Sequence, residues 1–285
     1  MRGVAALSVP KRCSFNVLVM DNDATPSAGE NVARIADTFP FPLSYAHVTE
    51  PGLSSVRNYS LERGRDFDFL AMIDDDEVPE RQWLAELLEV QAATMADAVI
   101  GPVPRTLPED APAWLRGARF FDLPVYPDRS LIRDGYSGNC LLRMTSVERL
   151  NLAFHRSLDF AGGEDLLFFR QLASRGGTLA YAAHAVAIES VGDERATASY
   201  ILKLNFRRGN TLSLCDRYMS DRFSTILVRT CKALGLIARG GVTLIPYSVM
   251  RGKSASILAL CDVARGVGAL AGIAGYTYNA YARPE

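Results

Sequence analysis

Asp68-Phe-Leu-Ala-Met-Ile-Asp-Asp-Asp-Glu77 is the stretch on which the reading of this chain turns. An apolar run, Phe69 to Ile73, leads straight into four carboxylates. A run of this length, bounded by turn formers, predicts a buried strand with the acidic residues at its carboxyl end. Adjacent carboxylates beside a buried strand repel one another, and a structure that gathers them offsets the cost with a cation. Hard oxygen donors select Mg²⁺ or Mn²⁺, whose shells are commonly completed by substrate phosphates. The alternative is that Asp74 to Glu77 form an acidic loop capping the next helix, where Asp and Glu favour the N-terminus.

The pattern continues outward from this stretch. Phe15 to Met20 stops at the turn formers Asp21-Asn-Asp-Ala-Thr-Pro26 and predicts another strand. A helix is expected over Asn31–Phe39, a strand over Leu43–Val48, and a helix over Ser54–Arg63 closed by Gly64. Beyond the acidic residues, Pro79 is expected to open a helix with Trp83, Leu84, Leu87 and Leu88 on one face, and strand resumes at Ala98. Such alternation predicts an α/β fold with a largely parallel sheet and helices on both faces. Ligands bind such sheets at the carboxyl ends of the strands, where Asp21, Asp74, Asp75 and Asp76 lie. Arg105 to Arg133, rich in proline and aromatics, is expected to be irregular. Tyr136-Ser-Gly-Asn-Cys140 offers a turn at which backbone can approach a ligand. Glu164-Asp165 precedes a helix over Leu166–Arg175 that stops at Gly176-Gly177.

A length of 285 residues suits one sizeable α/β domain with an appendage. Hydrophobic residues at 48 % and charged residues at 22 %, near the averages for soluble globular proteins, favour neither a disordered nor a fully membrane-embedded chain. Five scattered cysteines, with no Cys-x-x-Cys pair, argue against a disulfide framework or thiolate metal site and fit a reducing cytoplasm. The uncharged stretch Gly266 to Ala282 falls short of the roughly 20 apolar residues a membrane span requires, so no span is expected. From Arg222 to Glu285 eight basic residues face two acidic ones, and single cations separate apolar runs such as Ala233 to Ala238. This pattern predicts amphipathic helices, either lying on an anionic membrane surface or packed as a pair on the catalytic domain. The first domain is expected over residues 1–208 and the basic helical tail over 209–285. The expected location is cytoplasmic and peripheral, at the inner face of the cell membrane. No nucleic-acid partner is expected.

Several short segments now fall into a recognisable order. Val19-Met-Asp-Asn-Asp23, Gly52-Leu-Ser-Ser-Val-Arg-Asn58, Ile73-Asp-Asp-Asp-Glu77, Ser137-Gly-Asn139 and Gly163-Glu-Asp165 resemble, in sequence, the motifs of the inverting family 2 glycosyltransferases. The resemblance spans Phe15 to about Arg208. It implies the GT-A fold, a Rossmann-like mixed α/β sheet with helices on both faces, here followed by a C-terminal helical appendage. It further implies a nucleotide-diphosphate sugar donor, an Mn²⁺ or Mg²⁺ cofactor, and a lipid-linked or saccharide acceptor. By the same resemblance, Asp76 and Asp74 hold the metal, while Asp21, Arg57, Asp74, Asp75, Gly138 and Asn139 contact the donor. Asp165 is then the catalytic base, with Glu164 beside it, and Arg207-Arg208 matches an arginine motif near the diphosphate; His184 and Glu189 lie at the edge of the site.

Taken alone, Asp21 could form an Asx-turn, Arg57 could pair with a carboxylate of its own helix, and Glu164-Asp165 could be plain helix N-terminal charge. Family members begin with a strand, a loop and a helix ahead of the strand that ends in Asp21. Met1 to Ser14 is too short for that unit, with Gly3 to Leu7 resembling the end of its helix: either the start of the protein lies upstream of Met1, or this is a truncated relative with weakened or lost donor binding, and poor activity of the 285-residue chain alone is expected. A nucleotidyltransferase and a catalytically inactive, membrane-associated assembly partner are the alternative functional readings.

Overall fold

The computed structural model describes residues 1–116, 118–220 and 222–280. Gly117, within the stretch expected to be irregular, and Asp221 and Tyr281 to Glu285, in and next to the predicted tail, lie outside the described residues. The elements run α1 (Arg2–Ala5), β1 (Val17–Asp21), α2 (Gly29–Ala36), β2 (Leu43–His47), α3 (Leu53–Arg63), β3 (Phe69–Ile73), β4 (Glu77–Pro79), α4 (Trp83–Thr94) and β5 (Ala98–Ile100). They continue with β6 (Arg105–Thr106), α5 (Ala113–Arg116), β7 (Leu131–Ile132), β8 (Asn139–Arg143), α6 (Met144–Arg149), a 3₁₀ turn at Arg156–Leu158, α7 (Glu164–Ser174), β9 (Leu179–Tyr181) and β10 (Ala187–Ser190). Three long helices close the chain: α8 (Ala198–Met219), α9 (Phe223–Met250) and α10 (Gly252–Ile273).

The chain divides into two compact units. One holds Met1–Pro104, Leu123–Asp159 and Glu164–Glu189, and the other holds Arg105–Asp122, Phe160–Gly163 and Ser190 onward. In the first unit, β1 and β2 form a parallel ladder from Val17↔Leu43 to Asp21↔His47. A separate five-stranded sheet has the order β3-β8-β5-β9-β7. Only β5 and β9 pair in parallel there; β8 runs antiparallel to both β3 and β5, and β7 antiparallel to β9. The sheet is thus mixed, as the resemblance implies, rather than largely parallel as the alternation of elements predicts. The reason is that β8 arrives after a long excursion and enters between β3 and β5 from the opposite end.

Side chains alternate across these strands and feed two cores. Ala98, Ile100 and Leu142 meet Phe168, Phe169 and Leu172 of α7 on one face. Val99, Leu141 and Ala180 meet Trp83, Leu84 and Leu87 of α4 on the other. Pro79 does not open α4: it ends β4, opposite Ala187 of β10, and the helix starts at Trp83. Proline is tolerated at such a strand end, where no ladder hydrogen bond from its nitrogen is required. Gly3 of α1 packs so closely on β4 that a Cβ there would lie 2.8 Å from Pro79 Cδ. Helix α7 begins two residues earlier than expected, taking Glu164 and Asp165 into its first turn, after Gly162 and Gly163 at φ 77° and 87°.

In the second unit α10 packs on both α8 and α9. Glycines permit backbone contact at these crossings. Gly209 of α8 touches Arg265 O, Gly268 of α10 touches Phe206 O, and on the other side Gly240 of α9 touches Ala259 O. Helix α8 is continuous through residue 208, capped at its start by Thr197 Oγ1, which accepts the Tyr200 amide at 3.2 Å. All of α8 belongs to the last stretch of the second unit, which runs from Ser190 onward. Helix α10, starting at Gly252, is long and apolar enough by length and composition to cross a membrane. The expectation of no such helix rested on the shorter stretch from Gly266 and missed its first half. All five cysteines are free.

Candidate active site

The Gly52-Leu-Ser-Ser-Val-Arg-Asn58 segment shows how the local sequence aims one arginine. Gly52 has φ 121° and lies against the Asp159 side chain, which excludes any side chain at that position. Asp159 then caps α3 from outside the helix: its Oδ1 accepts the amides of Ser54 at 2.8 Å and Ser55 at 3.2 Å. Asn58 locks the other side through a reciprocal pair with Phe154, each bond 2.8 Å. Arg57, between these anchors, directs Nη2 to Asp74 Oδ1 at 3.6 Å and Nη1 to Glu164 Oε1. Its partners come from the end of β3 and the start of α7, not from its own helix.

The acidic turn after β3 is fixed by backbone bonds. Asp74 donates its amide to Gly138 O at 3.2 Å, and Glu77 donates its amide to Asp74 O at 3.2 Å. A Cβ on Gly138 would lie 2.7 Å from Glu77 Oε1 and 2.8 Å from Asp74 Oδ2, so a side chain there would push these carboxylates aside. Asp75 and Asp76 are exposed, whereas about half of the Asp74 side chain is covered. Loss of water raises the Asp74 pKa; Arg57 opposes that rise, and Asp76, Asp165 and Asp75 reinforce it. Glu77, a residue the sequence reading left out of the site, is pushed up to about 9 by burial and then by Asp74, Asp76 and Glu189. Glu189 stands directly opposite Glu77 in the β4–β10 ladder. Glu77 Oε2 is buried with no hydrogen-bond partner.

This crowding of hard oxygen donors suits a divalent cation, which would relieve the mutual repulsion. Among the described residues no three His, Cys, Asp or Glu side chains form a group that could hold a metal ion by themselves. A magnesium- or manganese-type site held by one or two carboxylates plus substrate phosphates needs no more than Asp76 and Asp74.

The other expected site residues fall into two groups. Asp165 is half-buried at the first turn of α7, and its charge is felt at Asp74. Its Oδ1 accepts the Leu166 amide at 2.6 Å. Glu164, by contrast, is 1 % exposed, with one oxygen on Arg57 and Oε2 buried without a partner. From this buried position it braces Arg57. Asn139 follows Gly138 in the sequence and opens β8. It is fully buried, accepts Trp83 Nε1–H at 2.7 Å, and donates to Pro102 O at 2.9 Å and Ala185 O at 2.7 Å. Its side-chain amide holds the turn that presents Gly138, with both N–H groups and one acceptor site of Oδ1 engaged.

Asp21 is 6 % exposed. It accepts the amides of Asp23 and Ala28 at 2.9 Å each, with Tyr45 Oη at 2.9 Å and Ser27 Oγ at 3.3 Å. Burial alone would raise its pKa, but these bonds outweigh it and bring the value down to about 2. The Asp23 bond is an Asx-turn, and Asp21 thereby shapes the loop after β1. Arg207 and Arg208 lie on α8 in the second unit. Burial, then Arg105, Arg265 and Arg207, bring the Arg208 pKa down to about 10.

Comparison with known proteins agrees with this architecture. The family model described as Glycosyl transferase family 2 matches residues 4–150. The succinoglycan biosynthesis protein ExoM of Rhizobium meliloti (strain 1021) is 40 % identical over 212 residues, which cover 74 % of this chain and 68 % of that protein. Among solved structures, S. aureus TarS 1-349 in complex with UDP-GlcNAc matches 97 % of this chain and 87 % of its own at a TM-score of 0.51 and 11 % identity. GalNAc-T7 with UDP, GalNAc and Mn²⁺ matches 72 % of this chain and 46 % of its own at a TM-score of 0.53 and 11 % identity. At such identities the structures speak for the fold alone, a GT-A glycosyltransferase fold, whereas the family match and the ExoM likeness set aside the nucleotidyltransferase alternative. The chain belongs to glycosyl transferase family 2 and is a glycosyltransferase.

Proposed function

We propose that this glycosyltransferase moves a sugar, with inversion, from a nucleotide-diphosphate donor to a hydroxyl of a lipid-linked or saccharide acceptor in polysaccharide or glycolipid synthesis. The observation that carries the reading is the carboxylate turn after β3, pinned to Gly138 O and braced through Arg57 and Glu164. The ExoM likeness supports the polysaccharide setting. UDP-GlcNAc on TarS, and UDP with Mn²⁺ on GalNAc-T7, support the donor and metal classes.

Asp76 and Asp74 would hold Mn²⁺ or Mg²⁺, with Asp75 toward the ribose and phosphates. When bound, the cation supplies neutralising charge for the departing diphosphate. Asp165 takes the acceptor proton as the hydroxyl oxygen bonds to the anomeric carbon and the bond from that carbon to the diphosphate oxygen breaks. Arg57 holds Asp74 in place, and the Gly138 backbone gives the donor sugar a surface free of side chains.

The test begins with nucleotide sugars screened by thermal shift in Mn²⁺, since a ligand that binds only the folded state raises its stability. With the donor so found, Asp165→Asn is expected to keep the donor-induced shift and lower kcat by about 10²–10⁴-fold. A variant with unchanged kcat removes Asp165 from the role of base.

A further inference from the structure

Helix α9 has two apolar faces, and among the described residues only one is covered. Ala233 and Gly240 point toward α10 and are buried. On the other side Phe223, Leu227, Leu234, Val242, Ile245 and Val249 are exposed, from 50 % at Leu227 to 81 % at Val249. Small apolar side chains fill the intervening turns, so the stripe returns every third or fourth residue along a 28-residue helix without a charge in it. Scattered exposed apolar side chains are ordinary on a protein surface, whereas a continuous stripe on the order of 40 Å long marks a site of association.

The charges beside the stripe say what kind of surface it fits. Asp216 already pairs with Arg229, and Asp262 with Arg239. Arg222, Lys232, Arg251 and Lys253 are exposed. These exposed cations would meet as like charges if two copies of this region faced each other. An anionic lipid surface takes both the cations and the apolar stripe.

Helix α10 is the segment whose length and composition suit a membrane span, but α8 and α9 occupy its sides, with backbone contacts at Gly268 and Gly266. We infer that α9, rather than α10, is the membrane element: it lies in the plane of an anionic bilayer surface with the Phe223–Val249 stripe in the headgroup region. This docking belongs to the second unit and is independent of the chemistry at Asp74 and Asp165.

Sedimentation of the full chain with phosphatidylglycerol–phosphatidylcholine vesicles, against phosphatidylcholine alone, tests the assignment. Binding is expected to the anionic vesicles and to weaken with salt. Ile245→Glu with Val249→Glu is expected to lower the partition coefficient roughly tenfold or more. Both side chains are largely exposed, and an unchanged melting temperature identifies a folded variant. Lys232→Glu with Arg251→Glu, which leaves the stripe intact, is expected to weaken binding to anionic vesicles only. The inference is overturned if the wild-type chain ignores anionic vesicles or if both pairs of substitutions leave binding unchanged. A self-association abolished by Ile245→Glu with Val249→Glu, in a chain that does not bind vesicles, would likewise overturn it and assign the stripe to a second copy.

Discussion

Arg57 and Glu164 form a pair that neither residue could sustain alone, because their side chains are 13 % and 2 % exposed. Removing one member of a buried ion pair leaves a bare charge in a poor solvent. Arg57→Ala is therefore expected to destabilise the fold by about 3–5 kcal/mol, and adding Glu164→Gln to recover much of that loss, measured by urea unfolding of the three proteins. Asp21 makes a separate prediction. Its folded pKa, about 2, lies below the ordinary 3.8, so its contribution is present above pH 3.8 and is lost as pH falls toward 2. Asp21→Asn is expected to lower stability at neutral pH by roughly 1–3 kcal/mol, with the gap to wild type closing in acid. A gap that stays constant from neutral pH to pH 2 contradicts this.

At this scale the acidic turn and Arg57 could be read from the chain because short motifs carry them. Asn139 could not, since it looks like a polar loop residue until Trp83, 56 positions away, is seen to claim its oxygen. Glu77 escaped for a similar reason: the residue that crowds it, Glu189, arrives on β10 from much later in the chain.

Among the elements, α3 carries the most information about how the site is held. It has no side-chain cap of its own, and Asp159 supplies one from 105 residues away. Asp159→Ala is expected to cost about 0.5–2 kcal/mol and to loosen Arg57 along with the first turn of the helix, seen as a lower melting temperature and faster amide exchange over Leu53 to Arg57. The identity of most elements followed from local pattern: apolar runs ending at turn formers gave β1, β2, β3 and β5, and Gly64 and Gly176 closed their helices. Sheet direction did not follow. Nothing within Asn139–Arg143 states that the strand will enter antiparallel between β3 and β5, because direction is set by where the preceding loop releases the chain. Pro79 misled for a comparable reason, since its fixed backbone angle suits a helix start and a strand end equally.

For the whole molecule, the interleaving of the two units explains why a single boundary could not be read from composition. Residues 105–122 leave the first unit for the second and return. The basic tail was visible as a composition shift, but which of its helices would keep an open apolar face depended on packing: α10 is covered on two sides, and α9 on one. The claim on which the account rests is that the Asp74–Asp76 turn holds a divalent cation together with a nucleotide-diphosphate sugar. The most direct test is the sugar-transfer rate of the chelator-treated chain as Mn²⁺ is added back, compared with Asp76→Asn. The account predicts negligible transfer without metal, recovery with Mn²⁺ in the wild type, and loss of recovery or a much higher Mn²⁺ requirement in the variant. Full transfer in excess chelator, or an Asp76→Asn variant with the wild-type Mn²⁺ response, would contradict it.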